Sequence, residues 1–254
     1  MSLLNLGCGA RLHPNWLNCD LNPSNPEIKS VDLLRPLPWP SANFDSVYCS
    51  HVVEHLPRGK VPSVLKEIRR ILRPRGILRL VVPDLAGIAR AYLQSFEEAR
   101  KDLPGSKLRH EWMTLELLDQ LVREQPGGFM GRWWKLDPVP GQEFIQARVG
   151  QEATAHWQDR SSHAGEIPST EPIYLGEPMD EKSRLAFLKK GGNHRWMYDE
   201  VSLGQLLIQA GFLKVKLCHA DESAIRDFAM YHLDTDETGR VRKPDSLFME
   251  AQAP

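Results

Sequence analysis

Two glycines near the N-terminus follow a short strand-like run and have the conformational freedom to approach a ligand closely. Residues 3–6 are mostly apolar, and Gly7 and Gly9 come directly after them. Because glycine lacks a side chain, it tolerates positive φ and lets backbone N–H groups reach a bound molecule. The pattern is typical of a nucleotide-binding turn, and equally of a tight turn that binds nothing.

Two acids follow at the ends of the next strand-like segments. Asp20 lies at the end of the run over residues 16–21, and Asp32 follows Val31 at the next strand-like edge. A carboxylate at the first position can accept both hydroxyls of a ribose, and the second position is suited to meeting an adenine. Either acid alone is also explained as a capping or solvated residue. Glycines, acid and acid at three successive strand ends favour a ligand site.

The segment His51-Val52-Val53-Glu54-His55 follows another predicted strand and matches a metalloprotease pattern. In that pattern, two histidines on one helical face bind zinc and the glutamate activates water. Such a site needs a sustained helix, but Pro57 follows at once and the sequence offers no evident third ligand. We therefore predict no metal site. The simpler interpretation is that Glu54 and His55 cap a short turn.

The elements that must position these residues can be predicted from the spacing of apolar side chains. Over residues 3–85, short apolar runs alternate with glycine, proline and polar breaks, as in buried parallel strands joined by crossovers. Residues 124–195 show weak periodicity and contain several tryptophans. Helices are predicted over residues 60–72, 86–103, 107–123 and 198–210, and strands over residues 3–6, 16–21, 44–50, 77–82, 212–218 and 246–251.

The composition excludes several classes of function. The chain has 254 residues, with 32 basic and 33 acidic side chains and no long basic run, so nucleic acid is not an expected partner. No apolar stretch is long enough to span a bilayer, so no membrane association is expected. The four cysteines form no Cys-x-x-Cys pair, which favours reduced thiols and a cytoplasmic location.

Several motifs together resemble the class I SAM-dependent methyltransferases, where SAM is S-adenosylmethionine. The group with the most similar motifs is the predicted methyltransferases of bacterial polysaccharide or secondary-metabolite biosynthesis. The resemblance is specific over residues 3–85, looser over residues 194–251, and absent between them. Its motifs are Leu4-Asn5-Leu6-Gly7-Cys8-Gly9, Trp16-Leu17-Asn18-Cys19-Asp20, residues 32–40, Ser50-His51-Val52-Val53-Glu54-His55-Leu56, Leu72-Arg73-Pro74-Arg75-Gly76, Val82-Pro83-Asp84 and His194-Arg195-Trp196-Met197-Tyr198-Asp199.

The resemblance implies an α/β, Rossmann-like fold, in which a seven-stranded sheet with its last strand antiparallel has helices on both faces. It also implies that the glycine loop faces the methionine part of SAM, that Asp20 holds the ribose, and that Asp32 with Leu33 meets the adenine. Ser50 and His51 would lie near the methyl group. The full set of cofactor-binding residues expected is Asn5, Gly7, Cys8, Gly9, Asp20, Leu21, Asp32, Leu33, Ser50 and His51.

The expected organisation is a sheet interrupted by an insertion. Residues 1–85 would form the SAM-binding half, residues 86–195 an inserted substrate or lid region, and residues 196–254 the part that completes the sheet. One departure from the usual pattern is that residues 10–19 are too few, with Pro14 among them, to hold the helix that normally follows the first strand. The insertion is then the expected lid.

An in-line methyl transfer needs a base only if the acceptor must lose a proton. The candidates are His51 and His194, with Asp84 at a strand end as a third, although a local hydrogen bond is an alternative role for each. We expect an O-methyltransferase acting on a sugar, a glycan or another small biosynthetic intermediate. If the acceptor is a sugar, the faces of Trp133, Trp134, Trp157 and Trp196 are candidates to stack on it, although a place in the buried core explains these tryptophans equally well.

Three other functions compete with this expectation. A nicotinamide-dependent oxidoreductase also uses a glycine loop and an acid, but its fingerprint needs a third glycine near residue 12 and a helix opening there. Leu12-His13-Pro14 supplies neither, and SAM has no phosphate that requires that helix. A zinc hydrolase is disfavoured as above. A non-catalytic SAM-binding or glycan-binding protein is left open by the sequence.

Overall fold

The computed structural model describes residues 1–161 and 179–254, which form two compact units. Residues 162–178 of the predicted insertion lie outside the described residues. The first unit contains Met1–Asp84, Trp196–Val241 and Ser246–Pro254. The second contains Leu85–Arg195 and Arg242–Asp245.

The first unit is built on one seven-stranded sheet, with the strand order β3-β2-β1-β4-β5-β7-β6. Strands β1 to β5 pair in parallel, whereas β7 runs antiparallel to both of its neighbours. The Rossmann-like sheet with an antiparallel last strand is therefore confirmed. The strands are β1 Leu3–Leu6, β2 Leu17–Asp20, β3 Lys29–Ser30, β4 Phe44–Ser50, β5 Leu72–Pro83, β6 Leu213–Cys218 and β7 Ser246–Gln252.

Eight helices complete the two units in the described part of the chain. Helices α1 and α8 belong to the first unit, and the others belong to the second. Among the described residues, no helix combines the length and apolar character needed to cross a membrane. The helices are α1 Val61–Ile71, α2 Leu85–Arg100, α3 Ser106–Val122, α4 Gly128–Trp134, α5 Gln142–Val149, α6 Gln151–Ser161, α7 Glu181–Lys189 and α8 Glu200–Gln209.

Helices α1 and α8 form for reasons that can be read locally. In α1, the apolar face predicted from the spacing is buried in the core, and a proline lies in the first turn, where its missing N–H costs nothing. Helix α8 begins at a capping box, because the side chain of Asp199 accepts from the backbone N–H of Ser202 at 2.7 Å. Gly211, at φ +89°, follows its end.

Strand β5 begins earlier than predicted. The sequence placed its start at residue 77, after a break at residues 73–76, but the strand starts at Leu72, directly after α1. Leu72 pairs with Phe44, and the backbone N–H of Ala253 donates to the carbonyl of Gly76 at 2.8 Å. Because these partners flank the segment, it continues the sheet although it contains a proline and a glycine.

The second unit, in its described part, is helical where the periodicity is weak. Helices α4 and α5 are short, and each follows a glycine with positive φ, Gly127 and Gly141. Trp112 stacks on Trp134 with ring centroids 6.2 Å apart and meets the edge of Trp133 at 5.9 Å. All three are buried, so the core interpretation holds for them and the sugar-stacking one does not.

A buried arginine ties the segment before β7 to the sheet of the first unit. Arg79 lies in the middle of β5 and is fully buried, and its guanidinium contacts Asp234 at 2.6 Å and Glu250 at 2.9 Å. It also donates to the carbonyls of Glu222 and His219. Burial of a charge is favourable only when its partners are this complete.

We expect Arg79→Met to lower the free energy of unfolding by about 3 to 5 kcal/mol, because two carboxylates would remain buried without their cation. Chemical denaturation followed by circular dichroism measures the change. Arg226→Met is the matched control, since Arg226 is exposed and pairs with its neighbour Asp227 at 3.3 Å. Equal losses in the two variants would contradict the assignment.

Candidate functional site

The register of the sheet brings the predicted site residues to one edge. Leu6 pairs with Cys19 of β2 and with Cys49 of β4, so the residues that follow these strands emerge side by side. These strand ends place Gly7, Asp20 and His51 at the same edge. In open α/β sheets, ligands bind in the crevice outside the carboxyl ends of the strands, which is this edge.

The glycine loop after β1 is held by the end of β2. The backbone N–H groups of Gly7 and Cys8 both donate to the carbonyl of Cys19, at 2.7 and 2.9 Å. A Cβ on Gly7 would come within 2.2 Å of Val52 Cγ2, whereas a Cβ on Gly9 would meet nothing within 4 Å. Gly7 is therefore required by packing, and Gly9 borders open space beside an accessible backbone.

Asp20 and the glycine loop form one hydrogen-bonded unit. Oδ2 of Asp20 accepts from the backbone N–H of Gly9 at 2.9 Å, and Oδ1 accepts from that of Asn22 at 2.9 Å. An ionised carboxylate has about four acceptor positions, so lone pairs remain for the two hydroxyls of a ribose. Asp20 is partly exposed, as a ligand contact requires.

Two buried asparagines hold the loop between β1 and β2, where the usual helix is missing. Asn5 donates to the carbonyl of Arg11 at 3.0 Å and to Oδ1 of Asn18 at 3.1 Å. Asn18 in turn donates to the carbonyls of His13 and Trp16. Asn5 was predicted to contact the cofactor, and Asn18 had no predicted role. The signal for both is a polar amide inside an otherwise apolar strand.

The remaining residues proposed for the adenosine half lie beyond β2 and β3. Asp32 accepts from the backbone N–H of Leu34 at 2.9 Å and lies 3.4 Å from the guanidinium of Arg35. Leu33 packs partly against the core, and Leu21 is exposed. The carboxylate of Asp32 is thus fixed at the surface, while its contact with adenine stays a prediction.

His51, directly after β4, is the most constrained of the three candidate bases. Its backbone has φ +53°, a left-handed conformation that costs a non-glycine residue about 1 to 2 kcal/mol. Its Nδ1 lies 3.2 Å from Oε1 of Glu54, and its Nε2 lies 3.0 Å from Oγ of Ser246. Glu54 was predicted only as a turn cap or as part of the disfavoured zinc pattern, and Ser246 had no predicted role.

The metalloprotease-like segment does not form the helix that such a site needs. Val53–His55 is a single 3-10 turn, and Leu56 is already extended at ψ 147°. His51 and His55 therefore do not share a helical face. His51 instead meets the buried carboxylate of Glu54 within the same turn.

The other two candidate bases have different surroundings. Asp84 follows β5 at the same edge of the sheet and forms a parallel bridge with Tyr198. Burial raises the pKa of Tyr198 to about 12, and the nearby Glu54 acts in the same direction. His194 belongs to the second unit, where its side chain is buried and its backbone N–H donates to the carbonyl of Gln120 at 2.7 Å.

The four cysteines, all within the described residues, are free and buried. Burial raises the pKa of Cys8 to about 11, with Asp20 as a second cause, and burial raises that of Cys19 to about 12. Both thiols are therefore protonated at neutral pH. Cys8 contributes backbone and volume to the loop, and no nucleophile.

Comparison with known proteins agrees with this geometry. Residues 4–80 match a family model for the methyltransferase domain. This stretch contains the glycine loop, Asp20, Asp32 and His51. Over residues 4–80 the chain is thus similar to the methyltransferase domain, and the seven-stranded sheet with its antiparallel last strand is the fold expected of such a domain.

Several solved structures are similar to this chain, each at low sequence identity. A SAM-dependent methyltransferase from Archaeoglobus fulgidus is 11% identical, with coverage of 99% of this chain and 85% of that one and a TM-score of 0.41. One from Mesorhizobium loti is 16% identical, with coverage of 99% and 90% and a TM-score of 0.40. The [4+2]-cyclase SpnF is 19% identical, with coverage of 32% and 38% and a TM-score of 0.26. A comparison with curated proteins gives no match.

SAM is the cofactor that the resemblance implies, and the residues at this edge of the sheet fit it. The open space beside Gly9 accommodates a ligand against the backbone, and the partly exposed carboxylate of Asp20 suits a ribose. When bound, SAM supplies a methyl group on a positively charged sulfur.

We expect Gly7→Ala to lower the free energy of unfolding by about 2 kcal/mol or more, because the new methyl group meets Val52 and the backbone has φ +71°. Gly59→Ala is the control, since a Cβ there meets nothing within 4 Å. Thermal unfolding of both variants measures the difference. A Gly7→Ala protein as stable as the control would show that the loop is not packed as described.

Proposed function

We propose that this methyltransferase domain transfers the methyl group of SAM to a hydroxyl of a small acceptor. The observation that carries the proposal is the shared edge of the sheet. Gly9 follows β1 and donates to Asp20 at the end of β2, and His51, whose ring contacts Ser246, follows β4. The first suits a nucleoside and the second suits the removal of a proton.

The cofactor residues divide into three groups along this edge. Asn5, Gly7, Cys8 and Gly9 would border the methionine part, with Asn5 acting mainly through the loop that it supports. Asp20 and Leu21 would meet the ribose, and Asp32 with Leu33 the adenine. Ser50 and His51 would lie nearest to the methyl group. The hydrogen bond from Gly9 to Asp20 supports the first two groups, because it joins them directly.

His51 is the base we propose. Both of its ring nitrogens face side-chain oxygens, and its strained backbone is typical of functional residues. Asp84 lies at the same edge and is the second candidate. His194 is the third.

The acceptor we propose is a sugar, a glycan or another small biosynthetic intermediate, such as those of bacterial polysaccharide synthesis. Of the four candidate tryptophans, Trp157 and Trp196 are at least partly exposed. Arg58 already lies over the ring of Trp196, 3.9 Å from its centroid. A sugar stacked on Trp196 would therefore have to displace Arg58 or use the other face of the ring. Free buried thiols support a cytoplasmic location.

We expect Asp20→Asn to weaken SAM binding about 10- to 100-fold in isothermal calorimetry, because a charge-assisted hydrogen bond to the ribose becomes a neutral one. The asparagine oxygen can still accept from the N–H of Gly9, so the loop should remain folded. Asp221→Asn, at an exposed position of the same unit, is the control. Undiminished affinity in Asp20→Asn would remove the ribose assignment.

We expect His51→Gln to slow single-turnover methylation by roughly 10²- to 10⁴-fold, the usual contribution of a general base, with little change in SAM affinity. Free hexoses, deoxyhexoses and phenols are the acceptor panel, and His219→Gln, at an exposed side chain, is the control. A larger loss in Asp84→Asn or His194→Gln would move the base to that residue. Tight SAM binding with no transfer to any acceptor would favour a non-catalytic SAM-binding protein.

A further inference from the structure

Three side chains of the first unit form a line from the interior of the protein toward its surface. Oε1 of Glu54 lies 3.2 Å from Nδ1 of His51, whose Nε2 lies 3.0 Å from Oγ of Ser246. Glu54 is 0% exposed, the side chain of His51 is 17% exposed, and Ser246 is partly exposed. The line thus runs from a buried carboxylate to two partly exposed side chains.

Separate backbone elements hold the three side chains. The N–H of His51 donates to the carbonyl of Val81 in β5 at 2.8 Å, and the carbonyl of Glu54 accepts from Trp196 at 3.2 Å. Ser246 begins β7 and pairs with Pro83. Because β7 is antiparallel, its first residue lies at the edge where the parallel strands end, beside the predicted methyl site.

The two contacts of the His51 ring indicate which of its nitrogens carries the proton. An ionised carboxylate only accepts hydrogen bonds, so a carboxylate at ion-pair distance from Nδ1, as Glu54 is, favours the ring proton of His51 on that nitrogen. The lone pair of a neutral ring is then on Nε2, facing the hydroxyl of Ser246. A nucleophile or relay hydroxyl, a base and an orienting carboxylate are the parts of an acid–base triad.

We propose that Ser246 is the residue that receives the proton of the acceptor hydroxyl. As the acceptor oxygen bonds to the methyl group, its proton moves to Oγ of Ser246, the proton of Ser246 moves to Nε2 of His51, and the resulting imidazolium is stabilised by Glu54. The serine is regenerated and one proton stays on the ring. Ser246 is then catalytic and Glu54 is a positioning residue. The inference rests on the proposed function.

The first test reads the ring of His51 without any acceptor. In protein with ¹⁵N-labelled histidine, assigned with His51→Gln, we expect Nδ1 protonated and Nε2 unprotonated. Ser246→Ala should shift the Nε2 resonance, Glu54→Gln should change the tautomer populations, and Ser246→Thr should keep the wild-type signals. Ser41→Ala, an exposed serine of the same unit, is the control. Ring signals unaffected by both Ser246→Ala and Glu54→Gln would overturn the relay.

The second test measures the chemical step with an acceptor from the panel above. We expect Ser246→Ala to slow single-turnover methylation about 10- to 100-fold at unchanged SAM affinity, and Ser246→Thr to retain most of the rate, because it keeps the hydroxyl. A full rate in Ser246→Ala would overturn the relay even if His51→Gln is slow. If the wild type methylates nothing, the proposed function fails. The ring signals of the first test then decide by themselves whether Glu54, His51 and Ser246 are in contact.

Discussion

The parallel pairing of β1 with β2 and β4 is the constraint on which the site depends. Because the pairing aligns Leu6 with Cys19 and Cys49, three chain segments leave the sheet at the same level. The carbonyl of Cys19 then accepts two N–H groups of the glycine loop. A shift of the register would separate the loop from Asp20 and leave those donors without their acceptor.

The parts of the fold predicted from the sequence are those that local patterns determine. The glycine loop follows the buried strand β1, and helix α1 shows its apolar face at the spacing of a helix. Short helices of the second unit were missed because few of their residues form one buried apolar face: α5 buries Ile145 and Val149, and α7 buries no residue. Their sequences therefore lose the periodicity that marks a half-exposed helix.

The parts of the site that the sequence did not reveal depend on contacts between distant segments. Ser246 and His51 are 195 positions apart and meet only because β7 inserts antiparallel beside β5. Asn18 looked like an ordinary strand residue, yet it supports the loop that replaces a helix. Arg79 finds Asp234 across 155 positions in the same way. None of these partners is adjacent in sequence, so only the folded chain brings them together.

His51 and Glu54 share a feature that packing alone does not explain. The first has a left-handed backbone that most residues avoid, and the second has a carboxyl group with no exposure to solvent. Each arrangement costs free energy that a glycine and an apolar residue would save. A stable fold does not need this combination beside β4. The sheet instead tolerates the cost at the edge where the glycine loop and Asp20 also meet, which is where a reaction with SAM would require an oriented base.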